Sequence, residues 1–127
     1  MNQSVSNILV CVTQQKTCER LIEKALEFSA DKDSIFIIHV AKDNWSFLDN
    51  DKEGEALEYL FGIAKSIGAN LTVLRSEKIV ETIVAYALEN KIDLLVLGDS
   101  KGDHSENYFY KSLKNSLNGV EIHVVRN

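Results

Sequence analysis

Three short runs of this chain are apolar at consecutive positions, not at alternate ones: Ile8 to Val12, Ile35 to Val40 (broken only by His39) and Leu94 to Gly98. A strand with one wet face alternates polar and apolar residues, so a run without alternation needs cover on both faces. The cover is written between the runs. Cys18, Leu21, Ile22, Ala25, Leu26 and Ser29 recur at helical spacing, with Thr17 placed to cap the helix and Glu19 in its first turn. Ala56, Leu57, Leu60, Ile63, Ala64 and Ile67 mark a second helix from Glu53, closed by Gly68. Leu71 to Leu74 adds a short strand, and Ile79, Val80, Ile83, Val84, Ala87 and Leu88 a third helix ending near Asn90. A fourth helix rests on Phe109, Leu113 and Leu117, ended by Asn118-Gly119. Val120 to Val125 alternates with Glu121 and His123, as a half-exposed edge strand does. Strands alternating with helices predict an α/β fold: a doubly wound parallel sheet with helices on both faces.

The 127 residues suffice for one domain, expected to span 1–127, and 45% hydrophobic content suffices for its core. A net charge of -5 argues against a non-specific nucleic-acid binder, which carries a basic stripe. Met1 to Asn7 lacks the basic and apolar regions of a leader, and no run reaches the roughly 20 apolar residues of a membrane span. The expectation is a cytoplasmic protein with no membrane partner. Cys11 and Cys18 are too few for a disulfide framework or a metal quartet, and are expected to stay reduced.

Candidate chemistry gathers where the strands end. Thr13, Gln14 and Gln15, with Lys16, follow the first strand and offer hydroxyl and amide groups to a base edge; the alternative is a solvated polar turn. His39 closes the second strand and is read as a ligand contact or a structural histidine. After Leu97, Gly98 lets a backbone approach a ligand, Ser100 and Ser112 can bond phosphate or ribose oxygens, and Lys101 and Lys111 can neutralise phosphate. The polar loop is expected to run on toward Lys111-Ser112, with amides at the start of the fourth helix adding positive potential. The chain has no Gly-x-x-x-x-Gly-Lys-Ser/Thr run, no Gly-x-Gly-x-x-Gly after the first strand and no Gly-x-Ser-x-Gly elbow. Paired catalytic carboxylates and metal-ligand spacing are missing too, so neither catalytic nor metal residues are expected.

The whole chain resembles the universal stress protein family. The resemblance implies a Rossmann-like, five-stranded parallel sheet of order 3-2-1-4-5 and a homodimer through the last strand, Val120 to Val125. In adenine-nucleotide-binding members the fourth strand is followed by Gly, two residues, Gly, nine residues, Gly, then Ser or Thr. Gly98 and Ser112 fill the outer positions here, and Lys101 and Lys111 replace the inner glycines. Thr13 stands where those members carry Asp, and Val40 fits the apolar residue bordering adenine. A closer resemblance is to the stress-protein domain of bacterial potassium-sensing histidine kinases, carried by Leu21-Ile22, by Gly98-Asp99-Ser100-Lys101 and by Val120-Glu121-Ile122-His123-Val124-Val125. Some of those domains bind cyclic di-AMP through Ser-x-Ser, twenty residues, then Phe-Thr-Ala-x-Tyr. From Thr13-Gln14-Gln15 the same spacing reaches Phe36-Ile37-Ile38-His39-Val40; Phe36 matches, the serines and tyrosine do not.

The resemblance thus implies a non-enzymatic signalling module whose partner is a small nucleotide: ATP, AMP or cyclic di-AMP. The site residues it implies are Thr13, Gln14, Gln15, Phe36, His39, Val40, Gly98, Asp99, Ser100, Lys101, Lys111 and Ser112. A second reading is a ligand-free dimerisation or protein-interaction module with a degenerate site, using Trp45, Phe47 and Leu48 of the 41–52 loop. A slow nucleotide hydrolase ranks third, since nothing in the sequence activates water.

Overall fold

The computed structural model describes residues 7–12, 15–29, 34–42, 52–98 and 104–125. In chain order these form β1 (Asn7–Cys11), α1 (Gln15–Phe28), β2 (Ser34–Ala41), α2 (Glu53–Ile67), β3 (Asn70–Arg75), α3 (Ile79–Glu89), β4 (Leu94–Gly98), α4 (His104–Ser116) and β5 (Glu121–Val125). The strands make one sheet of order β3-β2-β1-β4-β5, and every pairing is parallel. The expected architecture is therefore the one found.

The unbroken apolar runs are explained by the two cores they divide. From β1, Ile8 and Val10, with Val12 just beyond it, face α1 and α2, meeting Cys18, Leu21, Ile22 and Ala25 of one helix and Ala56, Leu60 and Ala64 of the other. Leu9 and Cys11 face the opposite way, toward Ile83 and Ala87 of α3 and Leu113 of α4. No residue from Ile8 to Val12 is more than 4% exposed, as expected of the central strand, with neighbours on both sides and helices on both faces. The edges read differently: β3 and β5 are mostly half-buried or exposed, as strands with one unpaired side are.

Two helix ends share one device. At α2, Gly68 takes φ 72 while its N–H and that of Ala69 reach back to the carbonyls of Lys65 and Ala64 at 3.3 and 2.9 Å. This left-handed ending satisfies carbonyls the helix leaves open. At α3 the same two bonds run from Lys91 to Leu88 and from Ile92 to Ala87, at 3.3 and 2.9 Å, with Lys91 at φ 52 in glycine's place. Asn7 buttresses that turn: its Nδ2 donates to the carbonyls of Asn90 and Lys91 at 3.0 and 3.1 Å. The Asn7 N–H donates to Asp93 Oδ2 at 2.8 Å, and the Asp93 N–H returns a bond to the Asn7 carbonyl at 2.8 Å. The amino ends of β1 and β4 are thereby locked together.

Two expectations change. Thr17 is not a cap; α1 begins at Gln15, so Thr17 lies inside its first turn. The polar stretch before Lys111 is not loop throughout, because α4 runs from His104. Between Gly102 and Leu113 no glycine or proline stands to stop the helix from extending backward. The 41–52 loop, with Trp45, Phe47 and Leu48, lies outside the described residues apart from its ends.

Candidate functional site

In this strand order β1 and β4 are neighbours, yet the chain leaves them in opposite directions, toward β2 and toward β5. Where two such connections part, a crevice opens beyond the carboxyl ends of the strands. At this point the rim of the sheet is formed by Val12 and by Gly98, the last residue of β4. Gly98 is half-buried, and a Cβ built on it would lie 3.5 Å from Leu21 Cδ1 and Cδ2, an ordinary contact. Neither packing nor a left-handed backbone demands a glycine at this position.

The strand ends are staggered. The β1–β2 ladder stops at Cys11 and Ile38, while β2 and β3 stay paired through Ala41 and Arg75. His39, Val40 and Ala41 therefore run past the end of β1. The Val12 N–H still donates to the Ile38 carbonyl at 3.0 Å. The Val12 carbonyl lies 2.8 Å from His39 Nδ1. A carbonyl only accepts, so Nδ1 carries the hydrogen and His39 donates. The imidazole is 4% exposed and is the one buried polar side chain among the described residues. Burial pushes its pKa below the ordinary histidine value, the Val12 carbonyl works against that shift, and the charge of Arg75 adds to it.

The expected site residues do not all converge. Val40 is buried near the end of β2, on the α3 and α4 side. Phe36 lies four residues earlier in β2, about 13 Å back along the strand at strand rise. Its ring packs edge-on against Tyr86, centroids 6.3 Å apart, and the Tyr86 hydroxyl lies 3.2 Å from Thr72 Oγ1. Gln15 opens α1. Lys111 and Ser112 are the eighth and ninth residues of α4, with Lys111 exposed and Ser112 half-buried. Thr13, Gln14, Asp99, Ser100 and Lys101 lie outside the described residues.

The sequence reading passed over Arg75, which ends β3 on the same rim and donates from Nη1 to the Lys42 carbonyl at 2.9 Å. A guanidinium directly after the Leu71 to Leu74 run was the available signal. It also passed over the start of α3. There the Lys78 N–H donates to Ser76 Oγ at 3.1 Å, and Thr82 Oγ1 lies 2.9 Å from that oxygen and 2.7 Å from the Lys78 carbonyl.

The thiols do not supply a nucleophile. Cys11 is fully buried and its pKa is driven far above the ordinary thiol range; burial, then Glu19, raises that of Cys18. A thiol kept protonated is a poor nucleophile and metal ligand. Among the described residues no group of three or more His, Cys, Asp or Glu could hold a metal, and no helix is long and apolar enough to cross a membrane.

The fold defines a doubly wound α/β protein with its topological switch point between β1 and β4. The profile of the universal stress protein family matches residues 4–117, and the chain belongs to that family. Among solved structures it is similar to the universal stress protein UspA from Lactobacillus plantarum, at 18% identity and a TM-score of 0.71, covering 98% of this chain and 100% of that one. It is also similar to a universal stress protein in complex with cAMP, at 16% identity and TM-score 0.65, covering 98% of each chain. A universal stress protein family member from Arabidopsis thaliana with AMP bound matches at 16% identity and TM-score 0.63, over 96% of this chain and 92% of that one. At these identities the likeness establishes the shared fold. A search of curated proteins returns no match.

Proposed function

We propose that this chain is a nucleotide-sensing, stress-signalling module without catalytic activity. It binds an adenine nucleotide at the carboxyl ends of β1, β2 and β4 and works as a homodimer paired through β5. The observation that carries the reading is that the carboxyl ends of β1 and β4, at Val12 and Gly98, are neighbours at the switch point of a universal stress protein sheet. Two structures of the same fold hold cAMP and AMP, which supports a nucleotide as the ligand class. Thr13, Gln14 and the Gly98 to Lys101 segment are the proposed contacts, with Val40 beside the base. Residues 1–127 act as one domain, related most nearly to the stress-protein domain of potassium-sensing histidine kinases. AMP, ATP and cyclic di-AMP are the candidate ligands.

A second reading is favoured by one feature. Lys111 and Ser112 sit two turns inside α4, where their backbone N–H groups serve the helix rather than a phosphate. A retired nucleotide site on a ligand-free interaction module fits that placement. Thermal melts with ATP, AMP and cyclic di-AMP at millimolar concentration separate the two. A ligand at a hundred times its dissociation constant stabilises by about 2.7 kcal/mol. A rise of several degrees with one of the three supports the nucleotide reading; no shift with any overturns it in favour of the second.

A further inference from the structure

His39 was expected among ligand contacts, yet its geometry gives it a different task. The ring is 4% exposed, so a ligand in the crevice has almost no surface of it to touch. Its Nδ1–H is committed to the Val12 carbonyl at 2.8 Å. That bond stands at a particular place: the main-chain ladder between β1 and β2 has ended at Cys11 and Ile38, and β2 continues alone toward Ala41. Val12 is thus held to β2 twice, by its own N–H on the Ile38 carbonyl and by the imidazole on its carbonyl. The next residue is Thr13, one of the proposed ligand contacts. A fixed Val12 carbonyl fixes the peptide plane through which the chain leaves β1.

We propose that His39 is a positioning residue: by holding the Val12 carbonyl it sets where β1 leaves the sheet, and through that the affinity of this rim for the nucleotide, without touching the nucleotide itself. The proposal rests on the nucleotide reading above for its ligand, but its structural half does not. The neutral tautomer that buries without a charge is the one that donates from Nδ1, so the latch is set at neutral pH. Arg75, on the neighbouring strand, reinforces the neutral form by its charge.

The test uses the full chain and two variants. His39→Asn keeps an N–H donor near the position of Nδ1; His39→Leu keeps the volume and removes the donor. Without ligand, amide resonances of Thr13, Gln14 and Gln15 should move in His39→Leu and stay close to wild type in His39→Asn. Calorimetric titration with AMP, ATP and cyclic di-AMP should show, for whichever the wild type binds, at least tenfold weaker binding for His39→Leu and affinity within threefold of wild type for His39→Asn. Unmoved Thr13 to Gln15 resonances and unchanged affinity in His39→Leu overturn the proposal; so does a loss in His39→Asn as large as in His39→Leu. If His39→Leu does not fold, the wild type decides: a through-bond coupling between His39 Nδ1 and the Val12 carbonyl carbon supports the latch, and its absence overturns it. A wild type that binds none of AMP, ATP and cyclic di-AMP overturns the nucleotide reading, while the ligand-free resonances still judge the latch.

Discussion

Lys91 and Gly68 do the same work with different side chains, and the comparison predicts a substitution. Both sit in the left-handed region at a helix end, with matching pairs of bonds to the preceding turn. An L-residue with a Cβ is strained there by about 1–2 kcal/mol, whereas glycine is not. Glycine in turn loses more freedom on folding, by roughly 0.5–1 kcal/mol. Lys91→Gly should therefore stabilise the protein by up to about 1 kcal/mol, read as a rise of a few degrees in thermal melts. Lys91 is exposed, so no packing is lost. His39 gives a prediction of opposite sign in pH. Its native pKa lies below the ordinary imidazole value of about 6.5. As pH falls through that ordinary value the unfolded chain takes up a proton that the folded chain resists. The stabilising contribution is complete above pH 6.5 and is lost as pH falls toward the lowered native value. Melts between pH 7.5 and 5.5 should show a fall for wild type that His39→Asn reduces; equal falls in the two proteins would remove His39 as the cause.

At the scale of elements, β4 and α4 differ in how much the sequence told of them. Leu94 to Gly98 was legible because burial on both faces leaves a run that nothing else explains. The three stripes of α1, α2 and α3 were legible for the same reason: each faces a core that requires apolar spacing. The start of α4 was not, because His104 to Tyr110 carries neither a stop signal nor a continuous stripe. For the candidate site, what was legible is which carboxyl ends are neighbours, since strand order fixes that. The contacts of the side chains there were not: the resemblance named Phe36 and His39, and only the fold shows Phe36 against Tyr86 and His39 on the Val12 carbonyl. Two substitutions test the elements that border the crevice. Leu113 is fully buried in α4, so Leu113→Ala should cost about 2–4 kcal/mol by denaturant unfolding. Gly98→Ala should be neutral or slightly stabilising, because the added methyl meets Leu21 at 3.5 Å and alanine suits a strand better than glycine. If Gly98→Ala nonetheless abolishes nucleotide binding in a protein that melts normally, the glycine serves the ligand and not the fold.

For the whole molecule the open question is what becomes of the two sheet edges. Among the described residues β3 and β5 each pair with one neighbour, leaving a row of backbone groups without a described strand partner on the outer side. Of the two, β5 offers the better surface for a second copy. Ile122, His123 and Val124 are half-buried along it, and Phe28 at the end of α1 leans on His123 with ring centroids 4.8 Å apart. Phe28 itself is exposed, so that edge is flanked by aromatic surface as well as backbone. The direction of the outward groups follows from the inner ladder. The Glu121 N–H donates to the Asp93 carbonyl at 2.9 Å, and in a parallel pair the bonded N–H groups alternate along the strand. Glu121, His123 and Val125 therefore turn their N–H groups inward, and Ile122 and Val124 turn theirs out. Two copies joined by this strand about a twofold axis would use those outward groups reciprocally. Val124→Pro removes one of them while leaving the bonds to β4 in place, and an edge strand tolerates proline. Native mass spectrometry should show a dimer for wild type and monomer for Val124→Pro, with the melting temperature of the variant falling as the linkage between folding and association is lost. A dimer that survives Val124→Pro would move the interface to another surface; a wild type that is monomeric at micromolar concentration would leave β5 a protected edge, with Glu121 as its guard.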